Sequence, residues 1–460
     1  MVYSSSSSSS VLNSRIPRIF VALFCPARFS PRLLLLYCFI FLAVTVFLGV
    51  RMHVGSYLSA VLYGLPVLAQ AQTQGSASTP GSEPPVADHF KSYTISAENI
   101  TATLIPYGAR LTSVLVPDRD GNQQDVVVGY DDPRDYLEDT QTSHTFFGAV
   151  VGRYANRIAN GSFEVDGKEY QVPRSENGVN TLHGGDVGYD QRNWTVTAHT
   201  ESTVTFTLLD QGFEDFPGDV VTHATFSVDT SRTADNPDGL PQLTTKLVSL
   251  ALTEKTPIML SNHIYWNLNA FKKENILDDT FLQLPLSKRF VGTDSTLIPN
   301  GTILDVDSAY KGSADFTTGK LVGADIQDAE GLCGADCTGY DNCFIIDRPP
   351  RSATQDSMVN IVRANSSTTG ISLEVTSNQQ AVQIYSCPGQ DGAIPTKPSQ
   401  QKRNDDGAKS VNKYGCFVIE PEGWIDGINH PEWGQLPYQV YAPDTAPAIN
   451  WATYKFGTVH

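Results

Sequence analysis

Short runs of alternating apolar and polar residues dominate the chain from Phe90 onwards. The run Thr245–Leu252 alternates between two faces, and Thr203–Leu209, Val220–Val228 and Ile371–Val375 share its β-branched and aromatic bias. A period of two residues is typical of β-strands. No segment keeps a 3.6-residue apolar period over about 15 residues, so the pattern predicts strands rather than long helices.

Turn signals separate these runs and favour antiparallel pairing. Asp166-Gly167 is a hairpin signal between two such runs. The regular spacing of strands and turns predicts an all-β fold, a large antiparallel β-sandwich. Residues 88–460 contain no internal repeat and no linker, so we predict one domain. The polar segments Asp229–Gln242 and Gly389–Gly415 are interpreted as surface loops.

Residues 1–87 are predicted to be a leader followed by a Ser/Pro-rich linker. One interpretation takes the apolar stretch Leu33–Val50 as a signal anchor. The other places the true start at Met52, with a secretory signal cleaved near Ala71. We favour the second, because a complete signal with its own methionine and cleavage site is not expected downstream of an anchor. Both interpretations send residues 88–460 into the secretory pathway. A cleaved signal predicts a secreted protein, whereas a retained anchor predicts a membrane protein that faces the lumen or the outside.

The charge is acidic and unevenly distributed. The 460 residues carry a net charge of −17, with 32 basic and 49 acidic residues. No acidic residue precedes Glu83, whereas five arginines do, so the remainder has a net charge of about −22. The chain therefore lacks the basic footprint of a nucleic-acid-binding protein, and we predict no nucleic-acid partner. Nothing in the sequence indicates an obligatory protein partner.

Cysteines and glycosylation sequons agree with the secretory pathway. Five cysteines follow the leader, and the odd number means that at least one thiol stays free or pairs between chains. Cys333 and Cys337 are close enough for a local disulfide, whereas no CxxC or suitably spaced histidine supports a zinc site. The sequons begin at Asn99, Asn160, Asn193, Asn300 and Asn365.

Five short segments combine polar residues with glycine and aromatics in a way that a plain strand does not need. Taken singly, each polar residue has an ordinary structural explanation as a salt bridge, turn or buried hydrogen bond. Together they indicate a cleft for a ligand rich in hydroxyl groups, because sugars need amide, carboxylate and guanidinium partners beside aromatic faces. The segments are Gly152–Ile158, Asn180–Gly185, Ser261–Leu268, Gly339–Phe344 and Val418–Trp424.

These motifs resemble those of the aldose 1-epimerases, also called galactose mutarotases, and the fungal secreted branch in particular. The matching strings are GRYANRIANGSF, NTLHGG, SNHIYWNL, GYDNCF and a glutamate shortly before a tryptophan near the C terminus. The resemblance covers about residues 88–457. It implies a β-supersandwich with an open sugar cleft, interconversion of the α and β anomers of free hexoses such as glucose and galactose, and no metal or organic cofactor.

The resemblance also implies roles for individual residues. Glu420 matches the catalytic glutamate, and Glu422 is its rival two positions along the same predicted strand face. The active-site histidines are His183 and His263. The substrate-binding residues are Arg157, Asn156, Asp341 and Gln379.

Three other functions remain open from the residues alone. A hexose-phosphate epimerase of the same fold needs basic side chains for the phosphate. A glycoside hydrolase would use Asp341 and Glu420 as its carboxylate pair. A catalytically silent carbohydrate-binding protein would be expected to lack Glu420 or His263, and both are present.

Overall fold

The computed structural model describes residues 88–349 and 357–459, so the predicted leader lies outside the described residues. The described residues fall within one compact unit, residues 84–460. Among them we find two short α-helices, Asp135–Gln141 and Pro398–Arg403. None of the described helices is long and apolar enough to cross a membrane. The strands are β1 (Tyr93–Ala97), β2 (Ile100–Ile105), β3 (Arg110–Pro117), β4 (Gln123–Asp125), β5 (Ala149–Val151), β6 (Arg157–Ile158), β7 (Ser162–Val165), β8 (Lys168–Gln171), β9 (Thr181–Leu182), β10 (Thr195–His199), β11 (Thr203–Gln211), β12 (Asp219–Asp229), β13 (Gln242–Ala251), β14 (Thr256–Pro257), β15 (Ser261–His263), β16 (Tyr265–Trp266), β17 (Thr280–Gln283), β18 (Arg289–Thr293), β19 (Pro299–Asp305), β20 (Lys320–Leu321), β21 (Asp341–Ile345), β22 (Val359–Ser366), β23 (Ile371–Ser377), β24 (Ala381–Tyr385), β25 (Phe417–Glu422), β26 (Val440–Tyr441) and β27 (Ala448–Thr458).

The largest sheet has nine antiparallel strands in the order β10-β11-β12-β13-β27-β23-β22-β17-β20. Its central strands bury every second residue, as the sequence pattern predicts: Ala224 and Phe226 on β12 and Leu243 and Leu247 on β13 face the core. The intervening residues are partly exposed, because each strand presents alternate side chains to opposite faces of the sheet.

A six-stranded sheet, ordered β16-β25-β24-β21-β18-β19, forms the opposing layer. Ile419 on β25, Ile384 on β24 and Phe344 on β21 join the same hydrophobic cluster as Leu247 and Leu373 of the large sheet. The predicted antiparallel β-sandwich is therefore confirmed. The other face of the six-stranded sheet carries polar side chains of the candidate site.

Smaller elements complete the fold. Strands β1 to β4 form a four-stranded sheet, and two-stranded pairs join β5 to β15 and β6 to β9. The predicted hairpin at Asp166-Gly167 is confirmed, since it links β7 to β8. Asp166 (φ 53°) and Gly167 (φ 79°) both adopt the left-handed conformation that tight two-residue hairpin turns require.

The segment Gly389–Gly415, predicted as a surface loop, is partly buried. The Lys397 ammonium is buried and donates hydrogen bonds to Asp125 Oδ2 at 2.8 Å and to the Thr112 carbonyl at 2.6 Å. Gln400 donates to the carbonyl of Val127 at 2.9 Å. Most of the segment is exposed or half-buried, as predicted, but polar composition gave no sign of this buried anchor. Its polar side chains find specific partners on β3, on β4 and at Val127 that offset the cost of burial.

Two disulfides account for four of the five cysteines after the leader. The predicted Cys333–Cys337 disulfide is confirmed, and a second joins Cys387 to Cys416 at the two ends of the segment between β24 and β25. Cys343 is buried and free, in agreement with the odd count.

Candidate active site

A polar cleft of about 450 Å³ opens on the face of the six-stranded sheet that points away from the main core. Six of the seven site residues predicted from the sequence line it, although they come from five separate segments of the chain. They are Asn156, Arg157, His183, His263, Asp341 and Glu420. The structure therefore brings the dispersed motifs together.

Three neighbouring strands place their polar side chains on this face. Gln383 on β24 lies opposite Glu420 on β25, and Asp341 begins β21 on the other side of β24. Residues one position away, such as Ile384 and Ile419, face the apolar core instead. The Gln383 amide donates to Asp341 Oδ1 at 2.6 Å, which joins the two side chains into one hydrogen-bonded unit.

His263, at the end of β15, meets Glu420 across the cleft. Its Nε2 lies 3.5 Å from Glu420 Oε1, and both side chains are almost fully buried. Burial lowers the pKa of His263 to about 3. Burial, with repulsion from Glu422 and Asp341, raises the pKa of Glu420 well above its ordinary value. Both shifts oppose charge, as expected for titratable groups removed from water.

His183 and Asn156 hold each other through their backbones. Both adopt left-handed conformations (φ 48° and 58°), which turn the two segments towards each other. The Asn156 N–H donates to His183 Nδ1 at 3.1 Å, and the His183 N–H donates to the Asn156 carbonyl at 3.0 Å. Because a backbone N–H only donates, the neutral ring carries its hydrogen on Nε2. Burial, together with His263 and Arg157, lowers the pKa of His183 well below its usual value and keeps the ring neutral.

Arg157 supplies the positive charge of the cleft. Its Nε and Nη2 donate to both oxygens of Glu176 at 2.8–3.0 Å. Burial disfavours the charge, but the carboxylates of Asp341 and Glu176 outweigh burial and raise the pKa of Arg157. The guanidinium therefore stays charged and oriented in a site that otherwise favours neutral groups.

Gln379 does not lie in this cleft. Its amide donates to Asn378 Oδ1 at 2.8 Å and to the Ile449 carbonyl at 2.9 Å, outside the cleft lining. Gln383, four residues later on β24, does line the cleft. The assignment of Gln379 is corrected because the motif SNQQAVQIY contains glutamines on both sides of the strand start. Only strand register and contacts distinguish them.

The structure also separates Glu420 from its rival Glu422. The two side chains share a strand face, yet Glu420 lines the cleft, whereas Glu422 lies outside the lining and is fully buried. Glu422 Oε1 accepts a hydrogen bond from the Asn156 amide at 2.8 Å. The geometry thus favours Glu420 as the carboxyl group that a ligand can reach.

Aromatic lining residues were missed by the sequence analysis. The Phe146 ring lies 4.7 Å from His183 and 5.7 Å from His263, measured between ring centroids, and Tyr265 and Tyr385 also line the cleft. Phe146 belongs to no polar motif, so its sequence context carries no signal. Tyr265 lies within the SNHIYWNL motif and could have been named from it.

The cluster does not have the surroundings of a metal centre. Ligand atoms of His183, His263 and Glu420 lie within 4.8 Å of one another. However, His263 Nδ1 has no hydrogen-bond partner among the described residues, and metal-binding histidines almost always donate from the second ring nitrogen. We therefore do not identify these residues as metal ligands.

Comparisons with known proteins agree with this geometry. The aldose 1-epimerase family profile matches residues 91–440. A probable aldose 1-epimerase of Arthroderma benhamiae is 58% identical over 396 residues, covering 84% of this chain and 90% of that protein. A galactose mutarotase of Sus scrofa is 28% identical over 354 residues, covering 77% and 91%. An aldose epimerase homologue from C. elegans superimposes with a TM-score of 0.65 at 25% identity, covering 80% and 99%. The chain belongs to the aldose 1-epimerase family.

Proposed function

We propose that this cleft interconverts the α and β anomers of free hexoses, such as glucose and galactose, by opening and closing the sugar ring. The proposal rests mainly on one observation. The buried carboxyl group of Glu420 and the buried imidazole of His263 lie in a polar cleft, with Oε1 and Nε2 3.5 Å apart. Membership of the aldose 1-epimerase family supports the same reaction.

The reaction needs one acid and one base. Glu420 takes the proton of the C1 hydroxyl while His263 delivers a proton to the ring oxygen, and the C1–O5 bond breaks to give the open aldehyde. Rotation about C1–C2 presents the other carbonyl face, and the reverse transfers close the ring as the other anomer. Positioned proton transfer of this kind contributes about 10²–10⁴-fold to the rate.

The proton that starts the reaction is already in the site. Burial opposes charge on both Glu420 and His263, so it favours a resting pair with the proton on the carboxyl group over an ion pair. Moving that proton to His263 creates the carboxylate and the imidazolium without changing the net charge. The two groups therefore titrate as a pair, and the pH dependence of the reaction belongs to both.

The remaining cleft residues orient the sugar. The His183 ring offers its Nε2–H to a sugar oxygen, since Nδ1 is occupied by Asn156. Arg157 stabilises negative charge on a reacting oxygen, and Asp341 accepts hydrogen bonds from sugar hydroxyls. Gln383 takes the place that the sequence assigned to Gln379, because its amide lies in the cleft and is fixed by Asp341.

Polarimetry on freshly dissolved α-D-glucose and α-D-galactose tests the proposal. The protein should accelerate equilibration, and Glu420→Gln should lose most of the acceleration. Glu164→Gln, at an exposed position on β7 outside the cleft, is the matched control and should remain fully active. A wild-type protein no faster than buffer would refute the reaction. An active Glu420→Gln beside an inactive Glu422→Gln would show that the wrong base was assigned.

The cleft is less suited to phosphorylated hexoses. Arg157 is the one lysine or arginine in the described lining of the cleft, and Glu176 already occupies much of its guanidinium. A phosphate dianion needs more donors and positive charge than this arrangement leaves available.

We also propose that the protein is secreted and glycosylated. Two disulfides support an oxidising compartment. The sequon asparagines Asn99, Asn160, Asn193 and Asn300 are exposed, whereas Asn365 is half-buried. N-terminal sequencing of protein from the culture medium should find a start near residue 72, and endoglycosidase treatment should reduce its mass. A retained Leu33–Val50 segment in a membrane fraction would instead support the anchored form.

A further inference from the structure

Glu422 is a buried carboxyl group without a part in the proton transfers proposed above. It lies two residues beyond Glu420 on β25 and is fully buried. An ionisable group in such a place is costly unless it is paired or hydrogen-bonded. Its Oε1 has a single described partner, the Asn156 amide at 2.8 Å, and its Oε2 has none.

This hydrogen bond fixes the orientation of the Asn156 side chain. The amide nitrogen faces Glu422, so Oδ1 faces the other way and accepts the Arg157 backbone N–H at 3.0 Å. Reversing the amide would set its oxygen against a carboxyl oxygen and its NH₂ against a backbone N–H. The contact between the two donors is unfavourable at any pH, and the contact between the two oxygens is unfavourable when Glu422 is ionised, so the two neighbours together favour one rotamer.

Asn156 is also the residue that holds His183. Its backbone N–H donates to His183 Nδ1 and its carbonyl accepts the His183 N–H, both through a left-handed backbone. Asn156 therefore contacts His183 through its backbone and Arg157 through its side-chain oxygen.

We propose that Glu422 is a positioning residue that orients Asn156 and, through Asn156, holds His183 and Arg157 in place for catalysis. The proposal rests on the proposed epimerase function and deepens it. Glu422 itself does not touch the substrate, because it lies outside the lining of the cleft.

The charge of Glu422 also reaches the catalytic pair. Burial raises the pKa of Glu422 to about 8, and repulsion between Glu422 and Glu420 contributes to the raised pKa of Glu420. Above about pH 8 Glu422 is ionised, and its negative charge there strengthens proton binding by Glu420. Removing this charge should therefore move the alkaline limb of the activity profile to lower pH and leave the profile unchanged where Glu422 is protonated. The titratable groups facing Glu422 are Glu420 on its own strand, Asp341 and Cys343 on β21, Tyr154 on the segment before β6, and Arg157 on β6.

Two substitutions of Glu422 distinguish the effect of its hydrogen bond to Asn156 from the effect of its charge. Glu422→Gln keeps an oxygen that accepts from Asn156 but removes the charge. It should retain kcat within about threefold at its optimum and move the alkaline limb of the kcat/KM profile by about 1 pH unit to lower pH. Glu422→Leu removes both the hydrogen bond and the charge. It should lose about 10- to 100-fold in kcat/KM, because the buried Asn156 amide is left without its partner.

A double-mutant cycle tests whether the effect runs through Asn156. Asn156→Gly keeps the left-handed backbone and its N–H to His183 but deletes the amide. If Glu422 acts through that amide, Glu422→Leu should reduce kcat/KM little further in the Asn156→Gly background.

Additive losses in kcat/KM would overturn the proposal, as would a folded Glu422→Leu protein with wild-type kcat, KM and pH profile. If Glu422→Leu does not fold, the Glu422→Gln and Asn156→Gly variants are measured in its place. An inactive wild type would instead refute the epimerase function, and calorimetric galactose binding by the same variants would then test the positioning role alone.

Discussion

His263 Nε2 lies 3.5 Å from Glu420 Oε1, although one residue ends β15 and the other lies in the middle of β25. The gap is longer than a good hydrogen bond, and both groups face the cleft. A sugar hydroxyl or ring oxygen can therefore approach each of them. Because each group favours its neutral form, one proton shared between them is enough for ring opening and closure.

Replacing His263 should reduce turnover more than binding. We expect His263→Asn to lower kcat by about 10²–10⁴-fold, because the variant lacks the proton donor to the ring oxygen. Polarimetry at saturating sugar measures kcat, and circular dichroism checks the fold. His199→Asn, an exposed histidine outside the cleft, should behave as wild type. Unchanged kcat in His263→Asn would exclude it as the acid.

Two glutamines offer a matched test of the cleft register. Gln383→Leu should reduce kcat/KM by about 10- to 100-fold, since it removes the hydrogen bond to the Asp341 carboxylate and a donor to the sugar. Gln379→Leu should leave kcat/KM near wild type, because its amide bonds to Asn378 and Ile449 outside the cleft. If Gln379→Leu instead lost more kcat/KM than Gln383→Leu, Gln379 would be the residue that contacts the substrate.

Glu422 should make stability depend on pH. Its folded-state pKa of about 8 lies above the ordinary value of 4.5, so the folded protein binds this proton more tightly than the unfolded chain. That contribution is fully present below about pH 4.5 and is lost as the pH rises through about 8. We expect Glu422→Gln to gain about 2–4 kcal/mol in unfolding free energy relative to wild type between pH 4.5 and pH 8.5. Urea unfolding at the two pH values measures it, and a difference that does not change with pH would contradict it.

The two disulfides should differ in their stabilising effect. Cys387–Cys416 closes a sequence separation of 29 residues, whereas Cys333–Cys337 closes a separation of 4. Loop-closure entropy predicts that removing the first costs about 1.5–2 kcal/mol more than removing the second. Paired Cys→Ala variants compared by denaturant unfolding measure this difference. Loss of Cys387–Cys416 should also raise KM, because Gly389, Gln390 and Asp391 line the cleft just after Cys387.

Much of the site was predictable because its chemistry lies in short motifs. Asn156 and Arg157 are adjacent, and the His183, His263, Asp341 and Glu420 motifs are recognisable when they are taken together. Alternation along β12 and β13 predicted the sandwich, since strand periodicity requires only local sequence. Gln379 was misassigned because two glutamines lie within a few residues and the start of β24 decides between them.

The sequence by itself determined the strand pattern, the all-β class, the odd number of cysteines after the leader and the set of motifs that meet at the cleft. The resemblance favoured Glu420 over Glu422, and only the tertiary structure shows which of the two lines the cleft. Both occupy the same strand face, so a period of two cannot distinguish them. The difference arises from neighbours remote in sequence: Asn156 covers Glu422, whereas the cleft opens at Glu420 beside His263. The burial of Lys397 has the same cause, since its partners Asp125 and Thr112 are brought to it by the packing of distant segments.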